Sequence, residues 1–166
     1  AYVYRYNQQR PEDAAGAAAW DRIIGYLFTD GKVLYGLHPY TGQVFKIEDG
    51  QLNACAQIPK NLLYAEEEEF FREIKGITYA GEKLILLLGT DTYDDYEKTE
   101  IVLIDLNDQK HQVSAIKNVQ SIAAGAAGKL LVYVEAEQAA IWQYDIATDT
   151  IEKMVEQIED GIFPSG

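Results

Sequence analysis

The chain has a single cysteine among 166 residues, Cys55, which excludes an internal disulfide and any zinc site built from several thiolates. This lone thiol is expected to be buried and inert, because a nucleophile needs a histidine partner that the sequence does not place. Histidine is scarce too. His38 and His111 fall in different stretches without a His-x-x-x-His spacing, so both read as surface residues rather than metal ligands. Long apolar runs are missing: LILLLG (84–89) and KLLVYV (129–134) fall far short of the roughly 18 residues a membrane helix needs. Basic residues number 14 against 27 acidic ones, a net charge of −13. That field repels phosphate backbones and anionic membranes over a Debye length of about 8–10 Å, so nucleic acid is not an expected partner. No Gly-x-Ser-x-Gly elbow, Walker loop or dinucleotide glycine run occurs. Gly125-Ala-Ala-Gly128 falls at a hairpin turn and lacks the helix a phosphate site needs.

With 48% apolar and 25% charged residues, the chain can bury a core, and its apolar residues are arranged in short runs. RIIGYLFTDGKVLYGLHPYTGQVFKIEDGQLNACAQIP (22–59) contains four such runs, separated by Asp-Gly, Pro-Tyr-Thr-Gly and Glu-Asp-Gly. These are turn formers through positive φ or side-chain capping, and the stretch predicts a four-stranded meander. Residues 74–116 repeat the order with an Ala-Gly turn, a long polar loop and a Leu-Asn-Asp-Gln turn, and residues 119–158 repeat it again. Gly31, Gly81 and Gly128 stand before the second run of each copy, about 50 residues apart. The third runs carry Phe45-Lys46-Ile47, Ile104-Asp105-Leu106 and Tyr144-Asp145-Ile146. Two insertions, KNLLYAEEEEFFRE (60–73) and TDTYDDYEKT (90–99), account for the uneven spacing, and Ala147-Thr148-Asp149-Thr150 is the hairpin turn between the last two strands. Two short helices are expected in the connections. One lies within QQRPEDAAGAAAWDR (8–22), with Pro11 near its start and Asp13 as cap; the other spans AEEEEFFREIK (65–75) over two to three turns.

Four strands per period of about 40–50 residues resemble the blades of β-propellers. HPYTGQVFKIEDG (38–50) and YDIATDTIEKM (144–154) are similar to the third-strand, turn, fourth-strand portion of many bacterial blades. The resemblance implies an all-β chain of blades at about 20–59, 74–116 and 119–158 within one partial propeller domain spanning 1–166. The superfamily is indicated without a subfamily: Trp20-Asp21 precedes the first copy instead of ending a third strand. Three blades do not close a ring of four to eight. AYVYRYN (1–7) looks like one more strand and EDGIFPSG (159–166) like the opening of a further blade. The chain is therefore expected to be part of a larger propeller, or a half that pairs with a second copy as a homo-dimer.

In an antiparallel blade, the loop between the second and third strands and the connection between blades open at the same end. Both insertions are expected on that one face, where binding residues on a rigid scaffold concentrate. The candidate binding residues are Tyr64, Glu67, Glu68, Tyr93, Asp94, Asp95 and Tyr96. Such an acidic, tyrosine-bearing surface suits a basic protein or a small polar ligand, including a cation or a sugar stacked on tyrosine. Calcium is the cofactor alternative, with Asp91, Asp94, Asp95 and Glu97 as oxygen ligands. The EF-hand pattern fails, because Tyr93 occupies its third position and Tyr96 the sixth, where glycine is required.

Three functional readings follow. The first is a non-catalytic binding or scaffold module acting through the acidic face; the resemblance implies export to the periplasm or cell surface. The second, also implied by the resemblance, is a propeller enzyme of hydrolase or lyase type, calcium-dependent or not, with its site at the central channel. The third is a structural repeat that binds another chain through an open blade flank.

Overall fold

The structure is a computed structural model and describes residues 9–65, 70–89, 99–135 and 139–155. The chain divides into two compact units, Ala1–Phe71 and Arg72–Gly166. Among the described residues the protein is all-β, with three four-stranded antiparallel sheets and two short helices.

In the first unit, helix α1 (Ala14–Trp20) precedes a sheet of strands β1 (Tyr26–Thr29), β2 (Leu34–Leu37), β3 (Gln43–Glu48) and β4 (Gln51–Gln57), paired in chain order. Alanine favours the helix, and the Asp13 carboxylate caps it by accepting from the Gly16 N–H at 2.9 Å. Short helix α2 (Lys60–Leu63) then leads into a two-stranded ladder of β5 (Tyr64–Ala65) and β6 (Phe70–Phe71). The helix expected over 65–75 is thus corrected. Residues 70–71 are a strand, and residues 74–75 begin the next sheet. The Tyr64 and Phe71 rings lie 4.9 Å apart in a directly paired register, an aromatic cross-strand contact of the kind that favours a ladder over helix.

The second unit holds β7 (Ile74–Ala80), β8 (Lys83–Gly89), β9 (Thr99–Ile104) and β10 (His111–Lys117), then β11 (Val119–Ala124), β12 (Lys129–Glu135), β13 (Ala139–Asp145) and β14 (Thr150–Val155). Each set of four forms one meander. Side chains alternate across a strand, so Ile85 and Leu87 of β8 point with Ile101 and Leu103 of β9 to one face. There they meet Val119, Leu130, Val132, Tyr144 and Ile146 of the neighbouring sheet in one core. Leu84, Leu86, Leu88, Val102 and Ile104 on the opposite face are equally buried. A strand buried on both faces needs an unbroken apolar run, and LILLLG is such a run. Strand β11 packs along β7, where Gly76 permits the approach: a Cβ there would stand 3.1 Å from Ile122.

Three turns share one frame of four residues between paired strand ends. His38 N donates to Gln43 O at 2.9 Å and Gly42 N returns to His38 O at 3.1 Å; Asp105 N to Lys110 O and Gln109 N to Asp105 O do the same at 2.9 and 2.8 Å. In the third turn, Asp145 pairs with Thr150. The last turn residue has positive φ in each: Gly42, Gln109 and Asp149. The first supplies a side-chain acceptor for the backbone N–H groups that follow. In the last two sheets this turn joins the third strand to the fourth, but in the first sheet it joins β2 to β3. HPYTG is therefore placed one hairpin earlier than its likeness to YDIATDT suggests.

Tyr144 ties the two sheets of the second unit together. Its hydroxyl donates to the Asp149 carboxylate, while its ring is wholly buried in the core that both sheets share. Burial first and Asp149 second push the phenol up to about 12. The folded state thus holds this proton above the ordinary tyrosine range near 10. Its contribution to stability is complete below about pH 10 and is lost as pH rises through the folded value. Tyr144→Phe is expected to lower the unfolding free energy by roughly 0.5–1.5 kcal/mol at pH 8, the net worth of a hydrogen bond whose acceptor, Asp149, is exposed and can turn to water. Urea denaturation followed by circular dichroism at pH 8 and pH 11 checks this, with the difference between the two proteins shrinking at the higher pH.

Candidate functional site

The described residues contain the stems of the two acidic segments. Of the candidate binding residues, Tyr64 is described. It opens β5, half-buried, with its ring against Phe71, which lies 5.0 Å from Tyr40. Tyr64 therefore stands in an aromatic row that fastens the β5–β6 ladder to the β2–β3 turn. Glu67, Glu68, Tyr93, Asp94, Asp95 and Tyr96 lie outside the described residues, as do the calcium alternatives Asp91 and Glu97.

Arg72, which closes the first insertion, is the residue that organises the second. Its Nε donates to the carbonyl of Gly89, the last residue of β8, at 3.0 Å. Its Nη2 pairs with Glu100 Oε2 at the start of β9, also at 3.0 Å. Gly89 and Glu100 stand on either side of segment 90–98 in the chain. Gly89 N further donates to Glu73 O at 2.9 Å, and the buried Thr99 hydroxyl donates to Val119 O at 2.8 Å. Both stems of the second acidic segment are thereby pinned, and two of the four bonds come from one guanidinium. Arg72 is 13% exposed and Glu100 29%, so the pair is partly shielded from solvent and salt.

The first unit holds a second feature that sequence reasoning missed. An open depression of about 370 Å³ lies between Asp21 and Arg22 on one side and Thr41, Gln43, Phe45, Leu52 and Ala54 of the sheet on the other. Phe45 is buried in its floor, while Arg10 binds both oxygens of Asp21 at 2.8 and 2.9 Å. Each partner of that pair shifts the other toward its charged form, chiefly through the shared hydrogen bonds.

No family model and no curated protein matches this chain. The residues themselves must carry the functional reading.

Three expectations about single side chains meet different outcomes. His38, expected at the surface, is wholly buried, because the turn it opens needs an acceptor and its ring fits between aromatics. His111 begins β10 and is exposed. Cys55, expected to be buried, is exposed on β4 at the register shift opposite Val44 and Phe45, and partial desolvation pushes its thiol up. Among the described residues, no group of three or more histidine, cysteine or acidic side chains is placed to hold a metal ion.

Arg72→Met keeps the apolar stem and removes the contacts to Gly89 O and Glu100. It is expected to cost about 1.5–3 kcal/mol, the range for hydrogen bonds to charged groups. Hydrogen exchange should accelerate at Gly89 and Glu100 more than in the core of β8. Equal acceleration at all three places would show instead that Arg72 acts only through global stability.

Proposed function

We propose that the chain is a β-propeller-type binding or scaffold module without catalytic activity, acting through its acidic, tyrosine-bearing segments. The observation that carries this reading is Arg72, which joins the end of the first insertion to both stems of the second. A rigid base under polar loops is how scaffolds commonly present recognition residues. The repeated antiparallel meanders support the propeller assignment. The partner is a protein or small polar ligand that carries positive charge, since a surface of this sign accelerates encounter with cations and rejects anions. The reading brings with it a periplasmic or cell-surface location.

Titration with a lysine-rich peptide tests it. The wild-type chain is expected to bind, with affinity falling as salt is raised from 20 to 300 mM. Neutralising Glu67, Glu68, Asp94 and Asp95 together to their amides should weaken binding at least tenfold and flatten the salt dependence. Equal binding by both proteins would sink the assignment to these segments. Calcium at about 100 times a dissociation constant would raise stability by about 2.7 kcal/mol. No such rise in melting temperature is expected, and one would move the reading to the calcium-dependent alternative.

A second reading has its own observation. Leu27 and Leu34 share one face of the first sheet and are 57% and 43% exposed. Large apolar side chains exposed together favour burial against another chain, so a second copy or further blades would cover this flank. Light scattering over a dilution series tests it. A persistent dimer that Leu27→Lys dissociates is the expected result, and a monomer at all concentrations removes the homo-dimer.

A further inference from the structure

His38 is wholly buried, yet both nitrogens of its ring are engaged. Backbone N–H groups of Tyr40 and Thr41 each lie 3.2 Å from Nδ1. A nitrogen that receives two N–H donors must present its lone pair, which fixes the tautomer and puts the proton on Nε2. From there it is donated to the Trp20 carbonyl at 2.7 Å, at the end of α1. The ring is held between Trp20 at 4.7 Å and Tyr40 at 5.9 Å between centroids, so it cannot swing away to find other partners.

We propose that His38 is an acid-sensitive latch, fastening the end of α1 to the β2–β3 turn only while its imidazole is neutral. Protonation would place an N–H at Nδ1 facing two N–H donors. The cap on the turn is then replaced by a repulsive contact inside a desolvated site. The other two turns of the same frame mark the contrast. Asp105 accepts from Asn107 N, and Asp145 from Ala147 N and Thr148 N. Lys129 and the Thr148 N–H hold the Asp145 carboxyl below its ordinary value, so it remains an acceptor where histidine gives up its lone pair.

The groups facing the ring set the direction. Asp21, just past α1, favours the cation, but its carboxylate is shared with Arg10. From the turn side, Pro39, Tyr40 and Thr41 bring no charge, and beyond Tyr40 stands Phe71. Burial outweighs the Trp20 carbonyl and Asp21, both of which favour the cation, and holds His38 below its ordinary value. A group depressed in this way contributes stability that is present above the unfolded value near 6.5 and is lost as pH falls through the folded one. Opening the latch frees α1 together with the segment that follows it. That segment lays Ile24 over Gly36 and supplies Asp21 and Arg22 to the wall of the depression above Phe45. Acid would therefore uncover a face of the first sheet that is half-covered at neutral pH.

Amide hydrogen exchange from pH 7.5 to 5, corrected for intrinsic rates, tests the latch. Protection of the Tyr40 and Thr41 amides should fall about tenfold per pH unit below about 6.5, one proton being taken up on opening. Trp20 emission should change in step in a Trp142→Phe background. His38→Asn, which offers an oxygen acceptor like those of Asp105 and Asp145, should hold its protection within about twofold over the same range. His111→Asn should follow the wild type. Wild-type protection that stays flat to pH 5, or a His38→Asn profile with the wild-type slope, overturns the proposal. If His38→Asn does not fold, a proton NMR titration of the wild-type ring decides. Titration of His38 with Tyr40 and Thr41 still protected overturns the latch, and coincident loss supports it.

Discussion

A pleated strand has two faces, and strands β8 and β9 must bury both. This requirement governs the second unit, because each fully buried leucine or isoleucine contributes roughly 1.5–3 kcal/mol only when no face is left wet. The neighbouring meander is the partner for Ile85, Leu87, Ile101 and Leu103, and its own Leu130, Val132 and Tyr144 are buried in return. Edge strand β14, exposed at every position, shows the other limit. Its polar Thr150, Glu152 and Lys153 tolerate solvent, while Ile151, Met154 and Val155 stay exposed outside the core.

Turn chemistry is the second constraint. A turn with four residues between paired ends requires a positive φ at its last position and an acceptor at its first. Gly42, Gln109 and Asp149 satisfy the former at different steric cost, and His38, Asp105 and Asp145 satisfy the latter with different chemistry. Aspartate is the stable solution across ordinary pH. Histidine in the same place brings a titration within reach of mildly acid conditions, together with an aromatic ring that Trp20 and Tyr40 can grip.

The strand content was legible because period-two alternation and Gly or Asp turns are local signals. Asp13 as a helix cap was legible for the same reason. The helix expected over 65–75 was misread: glutamates suggested a helix start, but Tyr64 pairs with Phe71 across a ladder, and that contact depends on the chain folding back. His38 was misread as exposed because its burial depends on α1 arriving from 18 residues away. Of the candidate site, the acidic segments were visible as composition, while the guanidinium that pins both stems of the second was not. Arg72 and Glu100 are 28 residues apart in the chain and meet only through sheet geometry.

The sequence by itself determined that this is an all-β chain of antiparallel meanders with a net charge of −13, because strand alternation, turn residues and net charge are properties of neighbours and sums. Tertiary structure alone decided which carbonyl His38 holds, which loop stems Arg72 joins, and which core the Tyr144 ring enters. Each of these depends on the distance between groups far apart in the chain, and hydrogen-bond energy falls away within fractions of an ångström.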